Sequence, residues 1–252
     1  MREESLIRVA DFYSGRADYP LRELQPGAVV IAASDKRYKE ASGCLLWVGA
    51  LNDRCLISTQ HELVGKVKEV VGSLSSPQQL LRSDLRDRLL AACFDALGAQ
   101  ASNIYSGLKL ACDEESLVRI EDRRVRKVTR DAAPEVIRNL SHEGVPDNVE
   151  YMLADDAAFA YYAGHQPVSF AGTHPLSATG LKVGNVMVAT LEPYRRRGFG
   201  KAVVSATTAC LIEQGKVAVY GTSDDNIPSI RTALSVGYRP YCRVLEVRFA
   251  DQ

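Results

Sequence analysis

Apolar positions follow two different periods along the first 117 residues. Two short apolar runs, Ala28 to Ala33 (AVVIAA) and Cys44 to Leu51 (CLLWVGAL), have the length and composition of buried strands. From Arg82 to Leu97 the apolar residues recur at helical spacing instead, and Gly98 follows as a helix stop. The pattern predicts an α/β unit, and no residue constellation in it indicates a chemical activity.

The stretch from Cys112 to Arg130 is densely charged, and we place a domain boundary there. A first domain is predicted at residues 1–118 and a second at residues 119–252. Val125 and Val128 stand among basic neighbours, as in a half-solvated strand. We therefore expect this strand to open the second domain.

Helices and strands alternate in a definite order after that opening strand. Asp131 to His142 has the pattern of a helix, and a second, short helix is predicted near Val149 to Leu153. Two strand-like runs, Ala157 to Tyr162 and Val168 to Thr173, flank the turn signal AGHQP, which indicates a hairpin. Val183 to Thr190 follows as another strand, so the predicted order is β, α, α, β, β, β.

The rest of the chain continues this alternation. The predicted elements are a helix at Lys201 to Gln214 ended by Gly215, a strand at Val217 to Tyr220, a helix at Pro228 to Val236 between Asn226 and Gly237, and a strand at Arg243 to Phe249.

Composition and charge limit the classes of partner. With 46% hydrophobic and 25% charged residues, the 252-residue chain has the composition of an ordinary globular protein. Its 31 Lys and Arg equal its 31 Asp and Glu, and the bases between Arg119 and Arg130 are interleaved with acids. A nucleic-acid surface is therefore the weaker interpretation of that stretch, and we expect no nucleic-acid partner.

The start of the chain and its cysteines bear on location and redox chemistry. The opening MREESLIRVADFY lacks an apolar core behind a basic start, and no later run approaches the ~18 apolar residues of a membrane helix. The six cysteines are scattered without a C-x-x-C pair, so we predict free, buried thiols and no metal site. We expect a cytoplasmic protein with no membrane partner, and either a monomer or a homodimer fits the sequence.

The segment Arg195 to Gly200 (RRRGFG) joins a predicted strand to a predicted helix. The first four amides of a helix have no partner within it, and glycine lets an anion approach the backbone closely. Gly198 and Gly200 stand at that helix start, beside bases at positions 195, 196, 197 and 201. Because the spacing fits neither a P-loop nor a dinucleotide fingerprint, we predict a different site for a ligand with several phosphates.

Two segments resemble motifs of the GNAT superfamily of N-acetyltransferases. Residues 190–202 (TLEPYRRRGFGKA) resemble its acyl-CoA motif, in which Arg195, Gly198 and Gly200 occupy the three defined positions. Residues 225–238 (DNIPSIRTALSVGY) resemble a later segment, in which an Asn opens a helix that closes on Gly and an aromatic residue. The resemblance implies an α/β (α+β mixed sheet) class: a GNAT-like acyl-CoA-binding fold preceded by a smaller α/β domain.

The resemblance also implies a donor and the residues that hold it. The donor would be acetyl-CoA, with its pantetheine arm between splayed strands that end at Thr190 and Tyr220. Backbone groups near Val188 and Thr190 would pair with that arm as an added strand does. The residues expected to bind the cofactor are Val188, Thr190, Arg195, Arg196, Arg197, Gly198, Phe199, Gly200, Lys201, Asn226 and Ser229.

The implied reaction is direct transfer of the acyl group to an amine of a small molecule or peptide, without a covalent enzyme intermediate. Glu143, Glu150 and His174 are candidate bases, because they lie in loops and strand ends expected to border the acceptor. Each also fits an ordinary surface or capping role, and His174 before Pro175 fits a turn.

One position departs from the family pattern. The tyrosine that often protonates the leaving thiolate falls on Ala233 in this chain. The acid is then a water, Ser223, Tyr220 or Tyr241, and the sequence does not choose among them. The missing phenol leaves a second hypothesis open, a catalytically weak protein that binds or senses acyl-CoA.

Overall fold

The computed structural model describes residues 1–17, 19–33, 44–51, 53–72, 79, 83–97, 101–174 and 181–249. The chain divides into two units. The first unit comprises Met1–Val9, Leu110–Thr222 and Asn226–Pro240, and the second comprises Ala10–Lys109, Ser223–Asp225 and Tyr241–Gln252. The domain boundary between residues 118 and 119 stays a prediction.

Helices and strands both occur throughout the described part of the chain. The α-helices are α1 (Glu3–Ala17), α2 (Val64–Val71), α3 (Ser83–Leu97), α4 (Ala133–Leu140), α5 (Val149–Met152), α6 (Phe199–Glu213) and α7 (Ile227–Ser235). The strands are β1 (Val29–Ala33), β2 (Cys44–Leu51), β3 (Arg54–Thr59), β4 (Ala101–Cys112), β5 (Val125–Lys127), β6 (Phe159–Ala163), β7 (Gln166–His174), β8 (Val183–Thr190), β9 (Val217–Ser223) and β10 (Arg239–Phe249). Among these helices, none is long and apolar enough to cross a membrane.

The first unit is built on a mixed sheet in the order β9-β8-β7-β6-β5. Strands β5 to β8 pair antiparallel with their neighbours, whereas β8 and β9 are parallel. Two parallel neighbours need a crossover connection, and helix α6 supplies it. The unit thus combines helices with a sheet that contains both parallel and antiparallel strand pairs, which confirms the predicted fold class.

Helix α6 packs closely on the sheet and is buried on most of its circumference. A Cβ on Gly184 of β8 would lie only 2.6 Å from the Leu211 methyl carbons, so this glycine permits the close approach. The buried residues of α6 are Ala202, Val203, Val204, Ser205, Thr207, Thr208, Ala209 and Leu211.

Three of those buried residues carry hydroxyls, and all three form hydrogen bonds to other segments. Ser205 Oγ accepts the Ile120 amide at 2.8 Å, and Thr207 Oγ1 donates to Ala171 O at 3.1 Å. Thr208 Oγ1 lies 2.7 Å from the hydroxyl of Tyr238, which is also buried. Each buried hydroxyl is therefore satisfied, as burial of polar groups requires.

The second unit contains the strand order β1-β3-β2-β10-β4. Helices α2 and α3 pack on it through one apolar cluster. Its members are Leu46, Val48, Ala50, Cys55, Ile57, Leu63, Val67, Val71, Leu85, Leu89, Leu90, Leu245 and Val247. The pattern expected of an α/β unit in the first half of the chain is present.

Free cysteines occur in both units. Cys55, Cys112 and Cys242 are free and buried, as predicted, and burial raises the pKa of the Cys112 thiol to about 11. Cys210 is free but only half-buried, because its side chain lies at the edge of α6 near the Asp156 carbonyl. The prediction of a buried thiol at Cys210 is therefore only partly correct.

Most predicted elements lie where the sequence places them, including β1, β2, α3 and everything from α4 to α7. Strand β5 has only three residues, whereas β9 and β10 are longer than predicted. The elements α1, α2, β3 and β4 were not predicted. Residues Leu108 to Cys112 of β4 are buried on both faces, which removes the alternation that identifies a strand. Gly98 and Pro175 lie outside the described residues.

Candidate functional site

Strands β8 and β9 pair over only part of their length. Their parallel register runs from Val183 opposite Val217 to Val186 opposite Tyr220. Beyond that pair β8 continues to Thr190 and β9 to Ser223. The two strand ends therefore separate and leave a gap in the sheet, as expected from the resemblance.

The direction of the backbone groups along β8 determines what faces this gap. The Leu191 amide donates to Val168 O at 3.0 Å, and Ala189 O accepts a hydrogen bond from the Ser169 hydroxyl, so both of these peptide groups face β7. Successive residues of a strand direct their backbone groups to opposite sides. Val188 and Thr190 consequently direct theirs away from β7, toward the gap.

The loop after β8 has a sharply turned backbone. A 3₁₀ turn at Glu192–Tyr194 is followed by Arg196 at φ 61° and Gly198 at φ 84°, both in the left-handed region. Gly198 is the N-cap of α6, and the first bond within the helix runs from the Ala202 amide to Gly198 O at 3.2 Å. The amides from Gly198 to Lys201 therefore have no acceptor within the helix.

The start of α6 lies directly over the end of β8. A Cβ on Gly200 would be 3.3 Å from Thr190 Oγ1 and 3.8 Å from Val188 Cγ2, so a larger side chain has little room. Phe199 stacks on Tyr161 of β6 with ring centroids 4.0 Å apart. These contacts bring the predicted cofactor residues of the loop and those of β8 together.

The basic side chains of the loop are exposed at positions 195, 196, 197 and 201. The Arg197 guanidinium lies 5.5 Å from the Tyr194 ring centroid. Together with the dipole of a 15-residue helix, these charges make the loop attractive to an anion.

Glu143 contacts this loop from the 3₁₀ turn that follows α4. One carboxylate oxygen accepts a hydrogen bond from Arg195 Nη2, and the other accepts the Glu192 amide at 3.2 Å. Arg195 Nε in turn donates to Thr190 O at 3.0 Å. This arrangement favours a role in holding the loop over the role of a base for Glu143. The sequence held no signal for this pairing, because the two side chains are 52 residues apart.

The other two candidate bases lie on separate elements. Glu150 of α5 accepts both Arg130 Nη groups, at 2.5 and 2.9 Å, and these hydrogen bonds hold the pKa of Glu150 below its usual range. A carboxylate stabilised in this way is a weaker base. His174 ends β7 opposite Asn185, with its ring edge-to-face on Tyr151.

The candidate acids differ in their surroundings. Tyr220 occupies the last position of β9 that pairs with β8, is buried, and has its hydroxyl 2.8 Å from Ser229 Oγ. Burial raises the pKa of Tyr220. Ser223 ends β9 and is half-buried, whereas Tyr241 stacks on Tyr13 in the second unit.

Helix α7 begins with a side-chain cap. The Asn226 side chain accepts the Ser229 amide at 3.2 Å, the N-cap geometry expected from the sequence. Position 233 of this helix is a fully buried alanine and supplies no phenol. Gly237 ends the helix at φ 97°.

Comparison with known proteins gives one family model and a set of solved structures. Residues 181–246 match the model described as FR47-like protein. A putative GNAT-family acetyltransferase from Novosphingobium aromaticivorans has a TM-score of 0.50 and 16% identity, with 62% of this chain and 69% of that chain covered. A comparison with curated proteins found no match.

Two further structures are more distant. A GNAT-family acetyltransferase from Colwellia psychrerythraea has a TM-score of 0.49 and 14% identity, with 64% of this chain and 61% of that chain covered, less than two thirds of its length. A putative acetyltransferase from Salmonella typhimurium, whose structure contains its cofactor acetyl-CoA, has a TM-score of 0.39 and 17% identity over 51% of this chain and 94% of that chain. The FR47-like match at residues 181–246 lies within the part of the chain whose motifs resemble the GNAT superfamily, and the Novosphingobium protein shares the fold.

Proposed function

We propose that this chain transfers an acetyl group from acetyl-CoA to an amine of a small molecule or peptide. The observation that carries the proposal is one juxtaposition. The gap between β8 and β9 opens beside the start of α6, where four amides lack helical acceptors and four basic side chains are exposed. A long ligand with a diphosphate and an amide-containing arm matches both features.

The two parts of the site would hold different parts of the donor. The amides from Gly198 to Lys201 suit the pyrophosphate, and Arg196, Arg197 and Lys201 add positive charge. The backbone groups of Val188 and the Thr190 amide suit the amides of the pantetheine arm, which would lie along β8 as an extra strand. Asn226 and Ser229 flank this region at the start of α7.

The chemistry would be one displacement at the thioester carbonyl. The amine nitrogen forms a bond to the carbonyl carbon, the bond from that carbon to sulfur breaks, and the amine loses a proton while the thiolate gains one. A backbone N–H of β8 directed into the gap would stabilise the oxyanion. For the acid, Tyr220 and Ser223 remain candidates from the chain itself.

Acetyl-CoA should raise the melting temperature of the purified protein, because a ligand that binds only the folded state stabilises it by about 2.7 kcal/mol at 100 times its Kd. ATP and NADH should have much smaller effects. With a panel of amines, release of free thiol from acetyl-CoA measures transfer. Equal stabilisation by ATP would contradict the donor assignment, and binding without thiol release would favour the weak acyl-CoA-binding hypothesis.

Asn226→Ala should lower the free energy of unfolding by about 1 kcal/mol, because the Ser229 amide loses its cap. We also expect weaker binding of acetyl-CoA, measured by calorimetry. Asn148→Ala is the matched control, since the Asn148 side chain caps α5 by accepting the Tyr151 amide at 3.0 Å. Parent-like affinity in Asn226→Ala would restrict Asn226 to a capping role.

A further inference from the structure

We propose that Arg195 is a positioning residue, held by Glu143, that fixes the loop in the shape that binds the diphosphate, and that it is not itself a phosphate ligand. The inference rests on the proposed function. It adds that both residues of this ion pair fix the geometry of the loop and do not contact the donor.

The first argument is the direction of the Arg195 side chain. Its Nε donates to Thr190 O, at the end of β8, and its Nη2 donates to Glu143. Glu143 also accepts the amide of Glu192, at the start of the 3₁₀ turn. The pair therefore connects the strand end, the turn after it and the segment after α4, and these contacts hold the first part of the loop.

The second argument is burial. The Glu143 side chain is only 16% exposed, whereas Arg195 is 51% exposed. A carboxylate that has lost much of its hydration needs the partners it has, and removing them leaves an unsatisfied charge. The half-buried Glu143 side chain therefore has a defined position, and the more exposed Arg195 side chain is held by its ion pair with Glu143.

The third argument is charge. Glu143 neutralises Arg195, while Arg196, Arg197 and Lys201 have no carboxylate within 4 Å in the described part of the chain. Those three bases keep their full charge for an anion. A carboxylate near a diphosphate repels it, so Glu143 opposes binding unless it is needed for the shape of the loop.

The sign of one substitution therefore separates the two roles. If Glu143 only adds negative charge, Glu143→Gln strengthens binding of acetyl-CoA. If Glu143 holds Arg195 and the loop, the same change weakens binding even though it removes a repulsive charge. We expect Glu143→Gln to raise the Kd for acetyl-CoA about tenfold.

A double-mutant cycle on the Kd tests whether Arg195 acts through Glu143. Arg195→Met should also cost about tenfold, and the double variant should be no weaker than either single variant. Arg195→Lys should behave like Arg195→Met, because lysine keeps the charge but has one nitrogen at its tip, whereas Arg195 reaches Thr190 O and Glu143 with two separate nitrogens. Glu213→Gln with Arg119→Met is the matched control, since that exposed pair lies at the other end of α6.

Several outcomes would overturn the proposal. Tighter or unchanged binding by Glu143→Gln shows that the carboxylate does not hold the loop. The second such outcome has two parts. Arg195→Met weakens acetyl-CoA binding equally in the parent and in the Glu143→Gln protein, and Arg195→Lys binds nearly as well as the parent. Together these results show that the side chain at position 195 contacts the phosphates directly. If the parent protein itself does not bind acetyl-CoA, the proposed function and this inference fail together. If the parent binds, a failure of the variants to behave as expected contradicts only the role of the Glu143–Arg195 pair.

Discussion

Replacing Gly198 with valine should weaken acetyl-CoA binding at least about a hundredfold, which corresponds to ~3 kcal/mol, while the protein still folds. Gly198 has φ 84°, a region that β-branched residues avoid, and it caps the helix whose amides are expected to meet the diphosphate. Valine would both distort this backbone and place two methyl groups where the phosphates approach. Calorimetry with acetyl-CoA measures the loss.

The matched control for this change is Gly215→Val at the opposite end of the same helix. Gly215 has φ 73°, and in the part of the chain that the structure describes only its chain neighbours come within 4 Å of an added Cβ, so it shares the backbone strain but not the loop. Both variants should lose about 1–3 kcal/mol of stability, and only Gly198→Val should lose affinity. Equal affinities in the two variants would remove the loop from the donor site.

Gly237→Ala should destabilise the first unit by more than about 4 kcal/mol. The added Cβ would lie 1.8 Å from Ser116 O and 3.0 Å from the Val118 nitrogen. Both are backbone atoms, and the Val118 amide is held by a hydrogen bond to Val236 O at 2.9 Å. The segment therefore cannot move aside without breaking its own contacts.

Gly144→Ala provides the comparison, because Gly144 also has a left-handed backbone, at φ 88°, but among the described residues none beyond its chain neighbours has an atom within 4 Å of the added Cβ. That variant carries the dihedral cost alone, about 1–2 kcal/mol. Denaturant unfolding followed by circular dichroism measures both. If the two variants lost equal stability, the close approach at Ser116 would not be rigid.

Elements with clear end signals could be predicted from the sequence. The sequence predicts strand β8 at Val183 to Thr190 (VGNVMVAT), and it predicts α7 from Asn226 and Gly237 at its ends. The prediction for β9 stops too early, at Tyr220, because Gly221 to Ser223 have no strand-like pattern. The strand itself continues to Ser223. The extended backbone of these residues depends on neighbours that local sequence does not reveal.

The candidate site also has features that local sequence predicts and features that depend on tertiary structure. Glycines and bases that are close in sequence indicated the anion loop, because their chemistry depends on local backbone geometry. The pairing of Glu143 with Arg195 depends on tertiary structure, so no local pattern reveals it. Gly237 was recognised as a helix stop, yet its close approach to Ser116 is visible only in the fold.

The buried hydroxyls of α6 have a consequence for how this helix is oriented. A helix that is apolar on most of its surface has little hydrophobic preference for one rotation about its axis over another. Hydrogen bonds are directional, so Ser205, Thr207 and Thr208 select a single rotational setting. The direction in which the amides after Gly198 point is set by that rotation. Residues two turns into the helix therefore set the direction of the amides at its start.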